Sequence, residues 1–272
     1  MKFGDSVASI EDCISGMDKI PAGSVDLVAT DPPYNLQKTI ANDDLNEHEF
    51  FDFTRLWITG ATRALKKDGS IYVMCGVKYH PYVHVILEKE FDLIHVDTII
   101  WAYSHSVHGV KRVLQSSYDP ILLFAKSKDY TFNMDDLRDP FAFSRFDKGN
   151  SRIGKALPDV WYIEAPRWNH PERHEFYKKN GRGDIVEKGH PTQKPVSLFK
   201  RMIQLSSNPG ETVLDPFVGS CTSGVAAIKT GRKFIGFEID SQWEHIINQR
   251  LSSAHSEKSS KKLTDFMEDD DP

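Results

Sequence analysis

Residues 25–35 read VDLVATDPPYN, a short apolar run that stops at a pair of prolines. The run Val25–Thr30 is rich in β-branched residues and has the length of a buried parallel strand. Because proline cannot continue a central strand, the strand is predicted to end at Asp31. The prolines then form a rigid turn that holds the Asp31 carboxylate and the Tyr34 ring at the carboxyl end of a strand, where open α/β sheets bind ligands.

Strands and helices alternate on both sides of this run. Apolar residues recur every three or four positions from Glu47 to Lys67, which predicts a helix that ends at Asp68 and Gly69. The other predicted strands are Ser70–Cys75, Leu93–Trp101, Pro120–Ala125, Thr212–Leu214 and Lys233–Phe237. The other predicted helices are Tyr82–Lys89, Val196–Ser206, Thr222–Lys229 and Gln242–Leu251. The alternation predicts an α/β fold with a doubly wound, mostly parallel sheet.

An irregular, basic stretch at residues 126–189 interrupts this alternation and divides the chain. It has no sustained period, and between Arg138 and Arg182 ten Lys or Arg face six Asp or Glu, a local net charge of +4. An insert of this kind is expected to be functional rather than connective. We therefore predict two halves of one domain, 1–125 and 190–251, around the insert. Residues 252–272, with six acids and three lysines, are predicted to be a disordered acidic tail.

Composition bounds the class of protein. The chain has 272 residues, 39% hydrophobic and 27% charged, which excludes a disordered or collagen-like chain. Its apolar runs are too short to span a membrane, so a cytoplasmic location is expected. The three cysteines form no CxxC pair, which argues against a zinc site or a disulfide framework. The net charge of −5 argues against nucleic acid, but this figure averages an acidic tail with a basic insert.

A second segment, residues 215–224, reads DPFVGSCTSG and joins a predicted strand to a predicted helix. Such a glycine turn brings backbone close to a nucleotide-like ligand, and the helix N-terminus presents free N–H groups. The segment matches neither GxGxxG nor GxxxxGK, which disfavours a dinucleotide or a triphosphate. Glu238 ends the next strand, where an acid commonly binds ribose hydroxyls. Asp215 and Glu238 suit a ligand with an amino group, a free ribose and no phosphate.

Together, DPPY at 31–34, HPTQKP at 190–195 and DPFVGSCT at 215–222 resemble the motifs of amino-methylating DNA methyltransferases. These enzymes move a methyl group from S-adenosyl-L-methionine to an exocyclic amine of a base. The motif order resembles the permuted beta group, which implies a Rossmann-like sheet and makes the insert a target-recognition region. The DPPY sequence followed by Asn35 resembles the motif of the enzymes that methylate the N6 amine of adenine. Cys221 departs from the usual glycine of the family, which puts the local backbone in doubt.

The resemblance implies roles for individual residues. The catalytic turn comprises Asp31, Pro32, Pro33 and Tyr34, with the base swung out of the duplex and the methyl group transferred directly in line. The expected donor-binding residues are Asp5 near the adenine moiety, Thr192 and Lys194 at the methionine end, Asp215 at the ammonium, Glu238 at the ribose, and Phe217, Gly219, Ser220 and Thr222 in the turn. Candidate DNA contacts are Arg145, Arg152, Arg167, Arg173 and Lys179.

The same resemblance implies double-stranded DNA as partner and S-adenosyl-L-methionine as cofactor, in a bacterial or phage-encoded protein. It leaves open a homodimer and a cognate restriction nuclease. No metal is expected, because His170, His174 and His190 lack further ligands and helical spacing.

Three alternatives remain at this point. Methylation of the N4 amine of cytosine would use nearly the same geometry around Asp31. A non-catalytic DNA-binding relative would not require the intact set of acids. A nicotinamide-dependent oxidoreductase is disfavoured by the absence of GxGxxG. Methylation of cytosine C5 needs a Pro-Cys nucleophile, and none of the three cysteines follows a proline.

Overall fold

The computed structural model of the chain describes residues 1–36, 41–104, 112, 114, 116–138, 155–166, 178–179, 185–187 and 190–268. The strands are β1 (Lys2–Phe3), β2 (Ser6–Ile10), β3 (Val25–Thr30), β4 (Leu65–Met74), β5 (Ile94–Ala102), β6 (Tyr118–Ala125), β7 (Val160–Tyr162), β8 (Lys178–Lys179), β9 (Ile185–Glu187), β10 (Thr212–Asp215) and β11 (Lys233–Glu238). The helices are α1 (Cys13–Asp18), α2 (Glu47–Ala64), α3 (His80–Val85), α4 (Val196–Leu205), α5 (Thr222–Lys229) and α6 (Glu244–Glu268). A π-helical turn, Ile86–Glu90, continues α3, and short 3-10 turns cover Asp135–Leu137 and Ser241–Trp243.

The main sheet has the order β1-β2-β11-β10-β3-β4-β6-β5-β7. The five neighbours from β2 to β4 are all parallel, so their carboxyl ends lie at one edge of the sheet. β6 runs antiparallel to both β4 and β5, and β7 lies parallel to β5. The strands β8 and β9 form a separate antiparallel pair. The predicted doubly wound, mostly parallel sheet is confirmed.

Helices cover both faces of this sheet, and the strand sequences reflect it. Along β3, Leu27 and Ala29 belong to a cluster packed beneath α4, α5 and α6, whereas Val28 belongs to a cluster packed beneath α1 and α2. Successive side chains of a strand point to opposite faces, so a strand covered on both sides is apolar at nearly every position. The uninterrupted apolar run that predicted β3 thus follows from its central position.

The helix predicted for Glu47–Lys67 ends earlier than expected. α2 ends at Ala64, and Leu65 is extended and paired with Val25 at the start of β4. The Lys66 ammonium lies 2.5 Å from an Asp26 carboxylate oxygen on β3. A Cβ on Gly69 would lie 2.8 Å from the Asp26 carbonyl oxygen, so close packing against β3 requires glycine there. Pairing with the neighbouring strand overrides the helical periodicity.

The C-terminal segment also differs from the prediction. α6 continues to Glu268, so the expectation of a disordered tail from Ser252 onward is wrong for that part of the chain. Leu251 and Ala254 are buried in the cluster beneath α4 to α6, and Lys229 forms an ion pair with Glu257 at 2.6 Å. The composition of the segment does not reveal these contacts, which hold its first turns against the rest of the protein.

The insert contributes to the sheet as well. Val160–Tyr162 forms β7 beside β5, and Trp161 is buried in the core. The Trp101 indole N–H donates to the Ile163 carbonyl at 2.7 Å, which fastens this part of the insert to the sheet. Among the helices in the described ranges, none is long and apolar enough to cross a membrane.

Candidate active site

A cleft opens at the carboxyl ends of β3, β10 and β11, which are neighbours in the sheet. Its empty space, part of it open to solvent, is about 1090 Å³. The cleft is lined by three of the predicted motifs, residues 31–34, 192–194 and 215–220, together with Glu238. Segments that are far apart in sequence thus meet at the carboxyl edge of the sheet, where open α/β sheets bind ligands.

The catalytic turn follows β3 directly. One Asp31 carboxylate oxygen, Oδ2, accepts a hydrogen bond from the Lys194 ammonium at 2.6 Å. The other oxygen, Oδ1, is buried and has no hydrogen-bond partner among the described residues. The pKa of Tyr34 is raised well above its usual value by burial and by the nearby charges of Asp31 and Asp119. The turn thus presents a neutral phenol ring beside a carboxylate with one oxygen free to accept.

Asp215, at the end of β10, ties the catalytic strand to the donor-side helix. Its Oδ1 accepts from the Thr30 hydroxyl at 2.7 Å and from the Phe217 backbone N–H at 3.0 Å. Its Oδ2 accepts from the Ser223 hydroxyl at 2.5 Å. Burial raises the pKa of Asp215 to about 6, and these three hydrogen bonds oppose part of that rise. The protonation of Asp215 is therefore sensitive to any cation placed in the cleft.

Glu238, at the end of β11, holds the glycine turn. Its two oxygens accept from the backbone N–H groups of Gly219 and Asp240, each at 2.9 Å. Burial also raises the pKa of Glu238. Each carboxylate oxygen has two lone pairs, so both can accept a second hydrogen bond from ribose hydroxyls. The side chain fits the ribose role expected from its strand-end position.

The backbone of the glycine turn is left-handed at two positions. Gly219 has φ +51°, a backbone conformation that strains any residue with a side chain. A Cβ at this position would also lie only 3.1 Å from the His190 ring, so a larger residue would be crowded. Cys221, where the family usually has glycine, has φ 62° and ψ 37° and precedes α5. A side chain in this conformation costs about 1–3 kcal/mol. The doubt about Cys221 is thus resolved: the turn keeps a glycine-like backbone despite the side chain.

Two residues outside the motifs also contribute to the site. Arg250 on α6 is buried, and its Nη1 donates to the Ser220 carbonyl at 2.8 Å and to the Thr222 hydroxyl at 2.9 Å. Trp243, in the 3-10 turn before α6, lines the cleft and packs its ring against His190, with centroids 4.8 Å apart. Sequence reasoning missed both residues, because a single arginine or tryptophan near the C-terminus carries no local signal of what it touches.

Asp12 is a third residue that sequence reasoning missed. It follows β2, lines the cleft and caps α1 by accepting from the backbone N–H groups of Ile14 and Ser15, each at 3.1 Å. Asp31 and Glu238 were predicted to lie at the site because they follow or end predicted strands. The same argument would have identified Asp12, had β2 been predicted.

Two predicted donor-binding residues lie elsewhere than expected. Asp5 is exposed in the turn between β1 and β2, at the amino end of β2, and does not line the cleft. Because β2 is parallel to β11, its carboxyl end and not its amino end faces the cleft. Lys194 does line the cleft, but its ammonium contacts the catalytic Asp31. The other predicted donor-binding residues, Thr192, Asp215, Phe217, Gly219, Ser220, Thr222 and Glu238, all line the cleft.

The predicted DNA contacts cannot be placed. Arg145, Arg152, Arg167 and Arg173 lie outside the described residues, as do His170 and His174. For Lys179 the structure describes only the backbone, in β8. Within the part of the chain that is described, no group of three or more His, Cys, Asp or Glu is arranged to hold a metal.

The fold and the cleft define a class of protein: a Rossmann-like transferase whose donor site adjoins a DPPY turn. The model of the DNA methylase family of N6 and N4 methyltransferases matches residues 25–249, and the chain belongs to this family. It is a DNA methyltransferase, which confirms the resemblance drawn from the three motifs.

Named relatives extend this similarity over most of the chain. DNA adenine methyltransferase YhdJ of Escherichia coli (strain K12) is 37% identical over 93% of this chain and 85% of its own length. Type II methyltransferase M.HpaI of Haemophilus parainfluenzae is 35% identical over 88% of this chain and 72% of its own length.

Solved structures share the fold at lower identity. PvuII DNA methyltransferase, described as cytosine-N4-specific, superposes with a TM-score of 0.70 at 19% identity, covering 93% of this chain and 92% of its own. A complex of M1.HpyAVI with SAM superposes with a TM-score of 0.63 at 23% identity, covering 90% and 98%.

Proposed function

We propose that this DNA methyltransferase transfers a methyl group from S-adenosyl-L-methionine to the N6 amine of adenine in double-stranded DNA. One observation carries the proposal: among the described residues, none donates a hydrogen bond to the buried Oδ1 of Asp31, which lies at the carboxyl end of β3 beside the donor-side strand ends. A buried carboxylate oxygen without a donor is costly, so the site is suited to an N–H group of the substrate. An exocyclic amine supplies such a group.

The donor side of the cleft fits S-adenosyl-L-methionine, which supplies an activated methyl group when bound. Glu238 would accept from the ribose hydroxyls, and Gly219, which lines the cleft without a side chain, would let the ligand approach the backbone closely. Asp215 carries its negative charge within the same cleft and would stabilise the methionine ammonium. Six acids line the cleft and would disfavour a phosphate-bearing ligand: Asp12, Asp31, Asp43, Asp215, Glu238 and Asp240.

At the catalytic turn the residues orient the amine. Asp31 Oδ1 and the Pro32 carbonyl would accept its two N–H groups and draw the nitrogen lone pair toward the donor. Tyr34 would stack on the base, which must leave the duplex to reach the cleft. The adenine nitrogen itself would attack the methyl carbon of the donor, whose sulfur is the leaving group, so the transfer needs no covalent enzyme intermediate.

Adenine is favoured over cytosine by two observations. The acid at position 31 and the following Asn35 resemble the adenine enzymes, and a relative 37% identical is named an adenine methyltransferase. The similarity to a cytosine-N4 enzyme is a similarity of fold at 19% identity. The N4 amine of cytosine is the second candidate because its amine would meet the same Asp31 oxygen.

Mass spectrometry of nucleosides separates the two candidates. Unmethylated plasmid DNA is incubated with the purified chain and S-adenosyl-L-methionine, then digested to nucleosides. N6-methyl-2′-deoxyadenosine is expected, and long-read sequencing of the same DNA gives the target sequence. N4-methylcytosine, or no methylated nucleoside at all, would overturn the proposal.

The name of M.HpaI as a Type II methyltransferase suggests a protective role beside a restriction nuclease for this chain too. A nuclease that cuts the same sequence, blocked by prior methylation, is the partner to test for. A homodimer remains a proposal, for which light scattering of the purified chain is the direct measurement.

A further inference from the structure

The Lys194 side chain crosses from the donor side of the cleft to the catalytic turn. Its backbone carbonyl accepts from the Thr222 hydroxyl at 3.2 Å, which ties it to the glycine turn. Its ammonium lies 2.6 Å from Asp31 Oδ2 and 5.0 Å from the centroid of the Tyr34 ring. The Lys194 and Asp31 side chains are only 11% and 17% exposed. A single lysine thus contacts both catalytic side chains.

This contact makes the two oxygens of Asp31 unequal. Oδ2 is held by a short, charge-assisted hydrogen bond, whereas Oδ1 is buried without a partner among the described residues. A carboxylate anchored at one oxygen cannot rotate freely, so the direction of its other oxygen is set. The anchor therefore determines where an incoming N–H group must lie.

The charge of Lys194 also matters, because acids surround it. Asp31 and Asp215 end the neighbouring strands β3 and β10, and the negative charge of Asp31 contributes to the raised pKa of Asp215. The Lys194 ammonium is paired with Asp31 at 2.6 Å, so its positive charge offsets the negative charge that Asp31 brings to this edge of the cleft. A neutral replacement of Lys194 would remove that pairing.

We propose that Lys194 is a positioning residue for methyl transfer, which holds Asp31 so that Oδ1 receives the amine. The proposal rests on the proposed amino-methyltransferase function and replaces the donor-binding role expected from the sequence. An ammonium has no lone pair, so Lys194 accepts no proton. The amine nitrogen gains the methyl group as the donor's carbon–sulfur bond breaks with its electron pair left on sulfur, and the displaced proton passes to solvent.

The test separates a catalytic effect from a donor-binding effect. Lys194→Met and Lys194→Arg are compared with the parent chain for kcat at saturating donor and DNA, and for the donor Kd by calorimetry. A misplaced reacting group costs on the order of 100-fold, so Lys194→Met should lower kcat by about that factor. Its donor Kd should stay within about threefold of the parent, and Lys194→Arg should recover about tenfold in kcat, because a guanidinium also binds a carboxylate.

Lys78→Met is the matched control. Lys78 donates to the Tyr79 hydroxyl at 2.8 Å and lies 4.4 Å from that ring, a lysine–tyrosine contact outside the cleft. Its kcat and donor Kd should equal those of the parent. Circular dichroism establishes folding, and Lys194→Gln replaces Lys194→Met should the latter not fold.

A donor Kd raised tenfold or more with kcat retained would overturn the proposal and return Lys194 to the donor site. An unchanged kcat in every Lys194 variant would overturn it too. These outcomes differ from a failure of the proposed function, in which the parent chain itself forms no N6-methyl-2′-deoxyadenosine in DNA.

Discussion

Arg250 provides a sharp test of how the donor site is held together. It is 6% exposed, and its Nη1 lies within hydrogen-bond distance of the Ser220 carbonyl, the Ser220 hydroxyl and the Thr222 hydroxyl, at 2.8, 3.1 and 2.9 Å. The perturbation is Arg250→Met, which keeps much of the apolar length of the side chain and removes the donors. Arg250 does not itself line the cleft, but the residues that it contacts, Ser220 and Thr222, do, so the change reaches the glycine turn from the side of α6.

The magnitude follows from the protons available. Nη1 carries two protons for three acceptors, so two full hydrogen bonds are lost, each worth ~1.5–3 kcal/mol when one partner is charged. Relief from burying a guanidinium offsets part of this loss, which leaves a destabilisation of about 3 kcal/mol. For a chain of this size, that lowers the melting temperature by about 6–12 °C. If about 1.4 kcal/mol is needed to reorder the turn on binding, the donor Kd rises about tenfold.

The assay is thermal unfolding together with donor calorimetry, and Arg55→Met is the control. Arg55 pairs with Glu90 on the surface at 2.7 Å with both side chains 41% exposed. Exposed ion pairs contribute only ~0–1 kcal/mol, so this variant should unfold within a few degrees of the parent and bind the donor equally well. Equal melting shifts for the two variants, or an unchanged donor Kd for Arg250→Met, would refute the assigned role of Arg250.

Three other predictions concern the cleft. Asp31→Ala should abolish methyl incorporation into DNA while the donor Kd stays within about threefold, because we propose that Asp31 contacts the amine and not the donor; sustained turnover would contradict this. Because the pKa of Asp215 is raised to about 6, the free cleft takes up a proton as pH falls through 6, and a cationic donor opposes that uptake. The donor Kd should therefore be constant above pH 7 and rise by up to about tenfold per pH unit below 6, with proton release seen as buffer-dependent binding enthalpy; a Kd independent of pH would reject the Asp215 role. Cys221→Gly should be more stable than Cys221→Ala by about 1 kcal/mol, the reverse of the order in a helix, because only alanine keeps the left-handed strain; denaturant unfolding of the two variants measures the difference.

The predictions that succeeded share one physical basis. Short apolar runs with clear ends define parallel strands, and the carboxyl ends of such strands lie at one edge of the sheet. Asp31, Asp215 and Glu238 were placed in one cleft by that rule alone, and β3, β10 and β11 are indeed neighbours. The rule works because it depends on local sequence and on the geometry common to all parallel sheets.

The predictions that failed depended on information that local sequence lacks. Asp5 was placed near the donor by family resemblance, without a predicted β2 to say which edge of the sheet it occupies. β2 has five residues, about 17 Å at the usual rise per residue, and Asp5 lies at its far end. The ends of α2 and α6 were missed because single tertiary contacts, such as the pairing of Leu65 with Val25, decide where those helices stop.

Lys194 shows that a motif can indicate a site without determining the role of each residue in it. The family resemblance of the HPTQKP segment implied a donor-binding role for its lysine, at the methionine end. The contact that matters joins residues 163 positions apart, and its geometry arises because α4 leads into β10, which pairs with β3. The lysine backbone follows the donor half, while its side chain is long enough to reach the catalytic turn across two adjacent strand ends. The lysine is long enough for its ammonium to contact Asp31 while its backbone carbonyl accepts a hydrogen bond from Thr222. These two contacts join the glycine turn to the catalytic turn, which is why we propose that Lys194 orients Asp31.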